Sequence, residues 1–161
     1  MLIRDYQWQD CEEIVAMFKD TVINVNCRDY DDNQLQAWIS GADLAQWHQT
    51  FMEHKTLVAI DEGHIVGFAD MDYSGFLDRL YVHKNYQHRH IGTKLCDELE
   101  AWAWKNNISI IRTHASITAK PFYEKRGYKV IQEQLVRRGA CQLKNYIMEK
   151  MKLDNKKRTQ I

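Results

Sequence analysis

The stretch FLDRLYVHKNYQHRHIG, Phe76 to Gly92, joins an apolar run to an amphipathic one through a polar loop, and its reading decides the fold. Phe76, Leu77, Leu80, Tyr81 and Val82 predict a buried strand, whereas from Gly92 onward Leu95, Leu99 and Trp102 recur at helical spacing. The period therefore switches inside the loop. There Tyr86, Gln87, His88, Arg89, His90 and Ile91 lead into a helix whose first turn leaves backbone N–H groups unpaired and carries the positive end of the helix dipole. Such a turn predicts an anion site. Arg89 adds a permanent charge, the neighbouring histidines add more when protonated, and Gly92 takes a Cβ out of a ligand's path.

Around that unit, 161 residues suffice for one domain that buries roughly 70% of the surface of its unfolded chain. Basic and acidic side chains balance at 22 each, which argues against a general nucleic-acid or membrane-surface binder. No apolar run approaches the ~20 residues of a membrane span. Met1 to Asp5 lacks the core of a signal peptide, so a cytoplasmic location is the expectation. Cys11, Cys27, Cys96 and Cys141 are scattered without a C-x-x-C, and are expected to be reduced thiols that mostly pack.

From the N-terminus, Leu2 to Tyr6 predicts a strand, and Asp10 with Glu13 a capping box for a helix that turns Ile14, Val15, Phe18 and Val22 inward. A second helix follows Asp31-Asp32, with Leu35, Trp38 and Ile39 inward and Gly41 at its end. A third, Leu44 to Met52, carries Trp47 and Phe51, and the tryptophans are expected in the core rather than against substrate. Thr56 to Ile60 and Ile65 to Met71 predict a hairpin about Asp61-Glu62-Gly63-His64, and a looser turn at Asp72 to Gly75 returns the chain to the central strand. After the helix, Ile108 to Ala115 predicts a strand parallel to Phe76–Val82 through a right-handed crossover, and ligands of such units bind at the carboxyl ends of the strands. Thr118 is the expected N-cap of a short helix with Pro121 in its first turn and Gly127 just past its end. Strands then run from Tyr128 toward Leu135 and through Tyr146 to Met148, with a turn at Arg138 to Ala140. Residues 1–151 form the domain, and 152–161 a polar, basic, frayed tail.

The run YVHKNYQHRHIGTKL resembles the acyl-CoA signature of the GCN5-related N-acetyltransferases (GNAT), Q/R-x-x-G-x-G/A, here Gln87-His88-Arg89-His90-Ile91-Gly92 with His90 in place of the first glycine. About thirty residues on, Ala119 to Tyr128 resembles a second block of that family. The resemblance implies an α/β fold: one GNAT-like domain with a mixed six- or seven-stranded sheet, flanked by helices and splayed at two central parallel strands. It implies acetyl-CoA as cosubstrate in the splay. Backbone groups of Leu80 and Val82, with Tyr81 between them, would meet the pantetheine. The amides of His88, Arg89, His90, Ile91, Gly92 and Thr93, after Gln87, would hold the pyrophosphate. Lys120, Phe122 and Lys125 would lie near the adenosine, and the helices between Asp10 and Met52 would wall the acceptor cleft.

The implied chemistry is direct attack of an amine, from a small molecule or a peptide, on the thioester in a ternary complex. A backbone N–H near Val82 suits the oxyanion. Tyr123 matches the family's tyrosine beside the sulfur and is the candidate general acid, with simple packing as the alternative. Asp78 is the candidate base, expected on the strand face of Leu80 and toward the cleft; it is equally placed to pair with Arg79 or Arg112. No metal is expected, because His83, His88 and His90 flank Arg89 without clustered cysteines or carboxylates. Neither nucleic acid nor membrane is an expected partner, and the chain is read as a monomer or homodimer. A non-catalytic CoA-binding sensor or a peptide-binding module is the alternative function.

Overall fold

Glu62 and Gly63 both adopt positive φ, 48° and 79°, the two-residue turn whose twist matches the flanking strands β2 (Lys55–Asp61) and β3 (His64–Met71). The computed structural model, which describes residues 1–153, extends this hairpin into a seven-stranded mixed sheet. The other strands are β1 (Leu2–Asp5), β4 (Phe76–Val82), β5 (Ile110–Ser116), β6 (Lys129–Arg138) and β7 (Cys141–Met151), in the order β1-β2-β3-β4-β5-β7-β6. All pairs are antiparallel except β4 with β5, as the crossover predicts.

The helices are α1 (Cys11–Asn24), α2 (Asp32–Ser40), α3 (Leu44–Glu53), α4 (Ile91–Lys105) and α5 (Lys120–Lys125). Alternation along β2 shows how they divide: Leu57 and Ala59 pack with Leu95 and Leu99 of α4, whereas Val58 packs with Ile14, Phe18, Leu35 and Phe51 of α1, α2 and α3. Each fully buried Leu, Ile or Phe in these two clusters contributes about 1.5–3 kcal/mol. Along β5 only one face is covered: Ile111, Thr113 and Ala115 are buried, and Ile110, Arg112 and His114 are exposed. Among the described residues no helix is long and apolar enough to cross a membrane.

Two expected caps are corrected. Asp10 precedes α1 but spends its carboxylate on Arg4, 2.8 and 2.9 Å, and on the Gln7 N–H at 2.8 Å, while Glu13 accepts from the Ile65 N–H at 2.9 Å. Arg4 and the Gln7 N–H thus take the Asp10 carboxylate, and a residue distant in the chain takes that of Glu13. Thr118 does not cap α5: its hydroxyl donates to Asp29, and Ser116 Oγ accepts from the Ala119 N–H ahead of the helix. At the other end the expectation holds, since the Gly127 and Tyr128 amides bond Glu124 and Tyr123 carbonyls and the Tyr123 and Tyr128 rings meet at 5.0 Å. The fifth strand starts at Ile110 rather than Ile108, and β6 and β7 run longer than their apolar cores. Of the expected tail, Lys152 and Leu153 follow β7; the rest lies outside the described residues.

Candidate active site

The parallel strands pair only at Phe76 with Arg112 and Leu77 with Thr113, then part. Gly75 lets them meet there. Its φ is +94°, and a Cβ on it would lie 2.6 Å from the Ile110 carbonyl oxygen, so the Gly75 carbonyl can approach and accept the Arg112 N–H at 3.0 Å. Beyond the last rung β4 keeps its bonds to β3. The His83 N–H donates to Val66, and by alternation Leu80 and Val82 turn their N–H and carbonyl groups into the gap. The Val82 carbonyl is already taken, by Gln87 Nε2 at 2.6 Å and Thr21 Oγ1 at 3.4 Å, so the open groups are the Leu80 peptide and the Val82 N–H.

The loop delivers further donors to the same edge. A 3-10 turn over Lys84–Tyr86 is followed by His88 and His90 at φ 60° and 61°, so the position of the missing glycine keeps a left-handed backbone. The first bond within α4 runs from the Lys94 N–H to the His90 carbonyl, which leaves the Ile91, Gly92 and Thr93 amides outside the ladder. Among the described residues, His88, Arg89 and His90 amides donate to nothing either. Arg89 lies 4.8 Å over the Tyr86 ring, at the exposed rim. A Cβ on Gly92 would lie 3.5 Å from the Phe122 ring and 3.7 Å from Val82, ordinary contact distances, so packing against α5 does not by itself require a glycine here. Lys120 sits over Tyr146 at 4.8 Å, and Lys125 is exposed.

Tyr123 is 3% exposed, with its hydroxyl beside Thr113 of the last parallel rung, at the apex of the gap. Burial pushes its phenol well above its ordinary value and keeps the proton on. The Tyr81 ring lies on the other face, 4.9 Å from Phe18 and 5.6 Å from Phe68, and lines the cleft there.

Asp78 also reaches the cleft, but not by sharing the face of Leu80. Asp70 pairs with Arg79 and Met71 with Leu77, so Asp78 is the extra residue of a β-bulge and the parity of the strand changes there. Leu80 packs on the α4 side, while Asp78 lines a cleft of about 120 Å³ on the opposite face with Tyr30, Trp38, Tyr81, His114 and Arg138. The expected pairing with Arg79 is present at 3.0 Å, and Arg112 pairs instead with Glu149. Trp47 is core, 7% exposed, whereas Trp38 is a cleft wall.

Three features had no warning in the sequence. Tyr30 anchors the cleft wall, its hydroxyl donating to the Lys144 carbonyl at 2.6 Å and accepting from the Ile117 N–H at 3.0 Å. His114 faces the cleft from β5, 5.0 Å from the Phe76 ring, and burial together with Arg112 depresses its pKa, so it is neutral at neutral pH. Behind Asp78, His54 Nδ1 lies 2.8 Å and Arg79 2.9 Å from Oδ2 of Asp70, whose side chain is fully buried. Ligand atoms of His54, Asp70 and Asp78 lie within 4.8 Å of one another, the one such convergence among the described residues, but the Arg79 guanidinium already sits on both carboxylates. Only the alternation of β5, exposed at His114, was readable beforehand.

A family model for an acetyltransferase (GNAT) domain matches residues 26–150. The chain is 29% identical over 146 residues to the uncharacterized N-acetyltransferase YafP of Escherichia coli K12, covering 91% of this chain and 93% of that one. It superposes on the structure of a GCN5-related N-acetyltransferase from Rhodopseudomonas palustris with a TM-score of 0.90 at 34% identity, over 93% and 94% of the two chains. The PaiA N-acetyltransferase of Thermoplasma acidophilum, solved in complex with coenzyme A, shares the fold with a TM-score of 0.79 at 22% identity, over 94% and 98%.

Proposed function

This chain belongs to the GNAT acetyltransferase family, and we propose that it moves an acetyl group from acetyl-CoA to an amine by direct attack in a ternary complex. The observation that carries the reading is the gap: two parallel strands that part after Leu77 and Thr113, edged by open backbone donors and by the N-terminus of a 15-residue helix. An extended chain with an anionic end fits that shape, the pantetheine along Leu80 and Val82 and the pyrophosphate on the amides of 88–93. Coenzyme A bound in the Thermoplasma acidophilum relative supports this. Residues 1–151 are the catalytic unit.

In this reading the amine lone pair attacks the thioester carbonyl carbon, and the oxyanion takes the Val82 N–H. The carbon–sulfur bond then breaks, and the departing thiolate takes the Tyr123 proton. Asp78 keeps one oxygen on Arg79 and offers the other to the incoming ammonium. That ammonium first gives one proton to His114, which its depressed pKa leaves unprotonated at neutral pH, and so frees the attacking lone pair; the second N–H proton, released once the carbon–nitrogen bond has formed, restores the Tyr123 phenol. His114 here replaces Asp78 as the base.

Acetyl-CoA should bind in calorimetry, and at 100 times its dissociation constant it should stabilise the fold by about 2.7 kcal/mol. Free thiol should appear with at least one amine class. Absence of binding at millimolar acetyl-CoA ends the reading; binding without thiol release from any amine makes the chain a CoA sensor. The rate should climb with pH as His114 loses its proton, with the acid limb below the ordinary imidazole value of about 6.5. His114→Gln should remove that limb and slow turnover by about 10²-fold, while a limb unchanged in the variant assigns the proton elsewhere.

A further inference from the structure

We propose that the cleft selects a small amine that carries its own carboxylate and a flat apolar body, of the aromatic amino-acid class, with the ammonium at Asp78 and the carboxylate at Arg138; this rests on the acetyl-transfer reading above. The charges in the cleft sort the candidates. Lys144 of the cleft lining is paired with Glu133 at 2.9 Å, and Arg112, outside that lining on β5, with Glu149, so these cations are spent within the protein. Arg138, at the end of β6, lines the cleft and has no carboxylate within ion-pair distance among the described residues. Its charge acts on Tyr81 and His114, which places it toward the same space. In the same lining, Asp78 is the carboxylate, with Oδ2 on Arg79 and Oδ1 without a protein donor among the described residues.

One open carboxylate and one open guanidinium in the same cleft complement a zwitterion. A polyamine or an aminoglycoside would bring several cations against Arg138 with a single anion to meet them, a like-charge clash that selects against such acceptors. Guanidinium groups meet carboxylates through two parallel hydrogen bonds, which also fixes the orientation of the bound amine. Rings line the same cleft: Tyr30 and Trp38 meet edge to face at 5.3 Å, and His114 and Phe76 at 5.0 Å. Ring walls of fixed geometry favour a flat partner that can stack or meet them edge-on.

The test is thiol release from acetyl-CoA by the full chain, with aromatic amino acids, the decarboxylated amine of each, and spermidine. The amino acids should exceed their decarboxylated amines in kcat/KM by about 10- to 100-fold, the range of a charge-assisted hydrogen-bonded contact, mainly through KM. Arg138→Gln should abolish that preference, and Arg138→Glu should invert it in favour of spermidine, both with acetyl-CoA affinity unchanged. Faster release with spermidine or with the decarboxylated amines in the unmodified protein, or a preference that survives Arg138→Glu, overturns the acceptor assignment and leaves acetyl transfer standing. Acetyl-CoA binding with no release from any amine overturns the transferase reading, and this proposal with it.

Discussion

Tyr123→Phe should lower kcat by about 10²- to 10⁴-fold, with little change in KM and none in the fold. The reason lies in where the hydroxyl sits. The Tyr123 ring packs against Phe122 at 5.3 Å and Tyr128 at 5.0 Å, and those contacts survive loss of one oxygen. The hydroxyl itself lies beside Thr113, the residue of the last parallel rung, whose own hydroxyl donates to the Leu77 carbonyl at 2.9 Å. It therefore stands where the two strands begin to part, at the inner end of the space assigned to the thioester. A buried phenol held protonated cannot serve as a base at neutral pH and has its proton in place for a departing thiolate. An interaction made only as the carbon–sulfur bond breaks appears in kcat and in kcat/KM equally. Normal turnover in the variant would make Tyr123 a packing residue. Early melting or lost acetyl-CoA affinity would make its hydroxyl structural, and the assignment would fail in either case.

Asp70→Ala should cost about 3–5 kcal/mol of stability, which lowers the melting temperature by roughly 6–20 °C for a domain of this size. Asp70 is fully buried on β3 and receives Arg79 at 2.9 Å and His54 at 2.8 Å on one oxygen. Arg79 is 17% exposed and lies 4.5 Å over the Trp47 ring and 5.4 Å over Phe51, so it cannot swing out to water without unstacking. Removing the carboxylate leaves that charge with Asp78 alone. Replacing both partners, as in Asp70→Leu with Arg79→Met, should recover much of the loss, because a buried pair is costly to break and much less costly to omit. A loss below about 1 kcal/mol in Asp70→Ala would mean that the guanidinium finds other partners.

The contact of His54 with Asp70 sets a pH dependence. The bond to Asp70 raises the His54 pKa above its unfolded value, so its contribution is complete below about 6.5 and is lost as pH rises through the raised value. His54 Nδ1 faces Asp70, with Asp78 and Asp72 also acting on it, and the alanine variant should lack most of this decline. A decline of equal size in the variant would move its origin away from His54.

What the sequence by itself determined is whatever depends on neighbours along the chain. The Glu62-Gly63 turn, the helical face of Leu95 and Leu99, the Gly127 helix stop and the strand, loop and helix from Phe76 to Lys105 each arise within a few turns of backbone, and each is present. The open amides of 91–93 belong to this class, because an anion site at a helix start needs no distant partner. The parting of β4 from β5 was reachable through the family resemblance alone. Tertiary structure decided the rest. The local caps at Asp10 and Thr118 were displaced when Arg4 and Asp29 came within reach of them. The bulge at Asp78 reversed a parity that a two-residue period assumes, so the carboxylate reached the cleft by a different face from that of Leu80. Tyr30, His114 and Arg138 come from an N-terminal helix approach, the crossover strand and the last hairpin. No period or spacing links residues so far apart in the chain; they become one site only because the sheet order sets β5, β7 and β6 side by side and stands α2 over their open face.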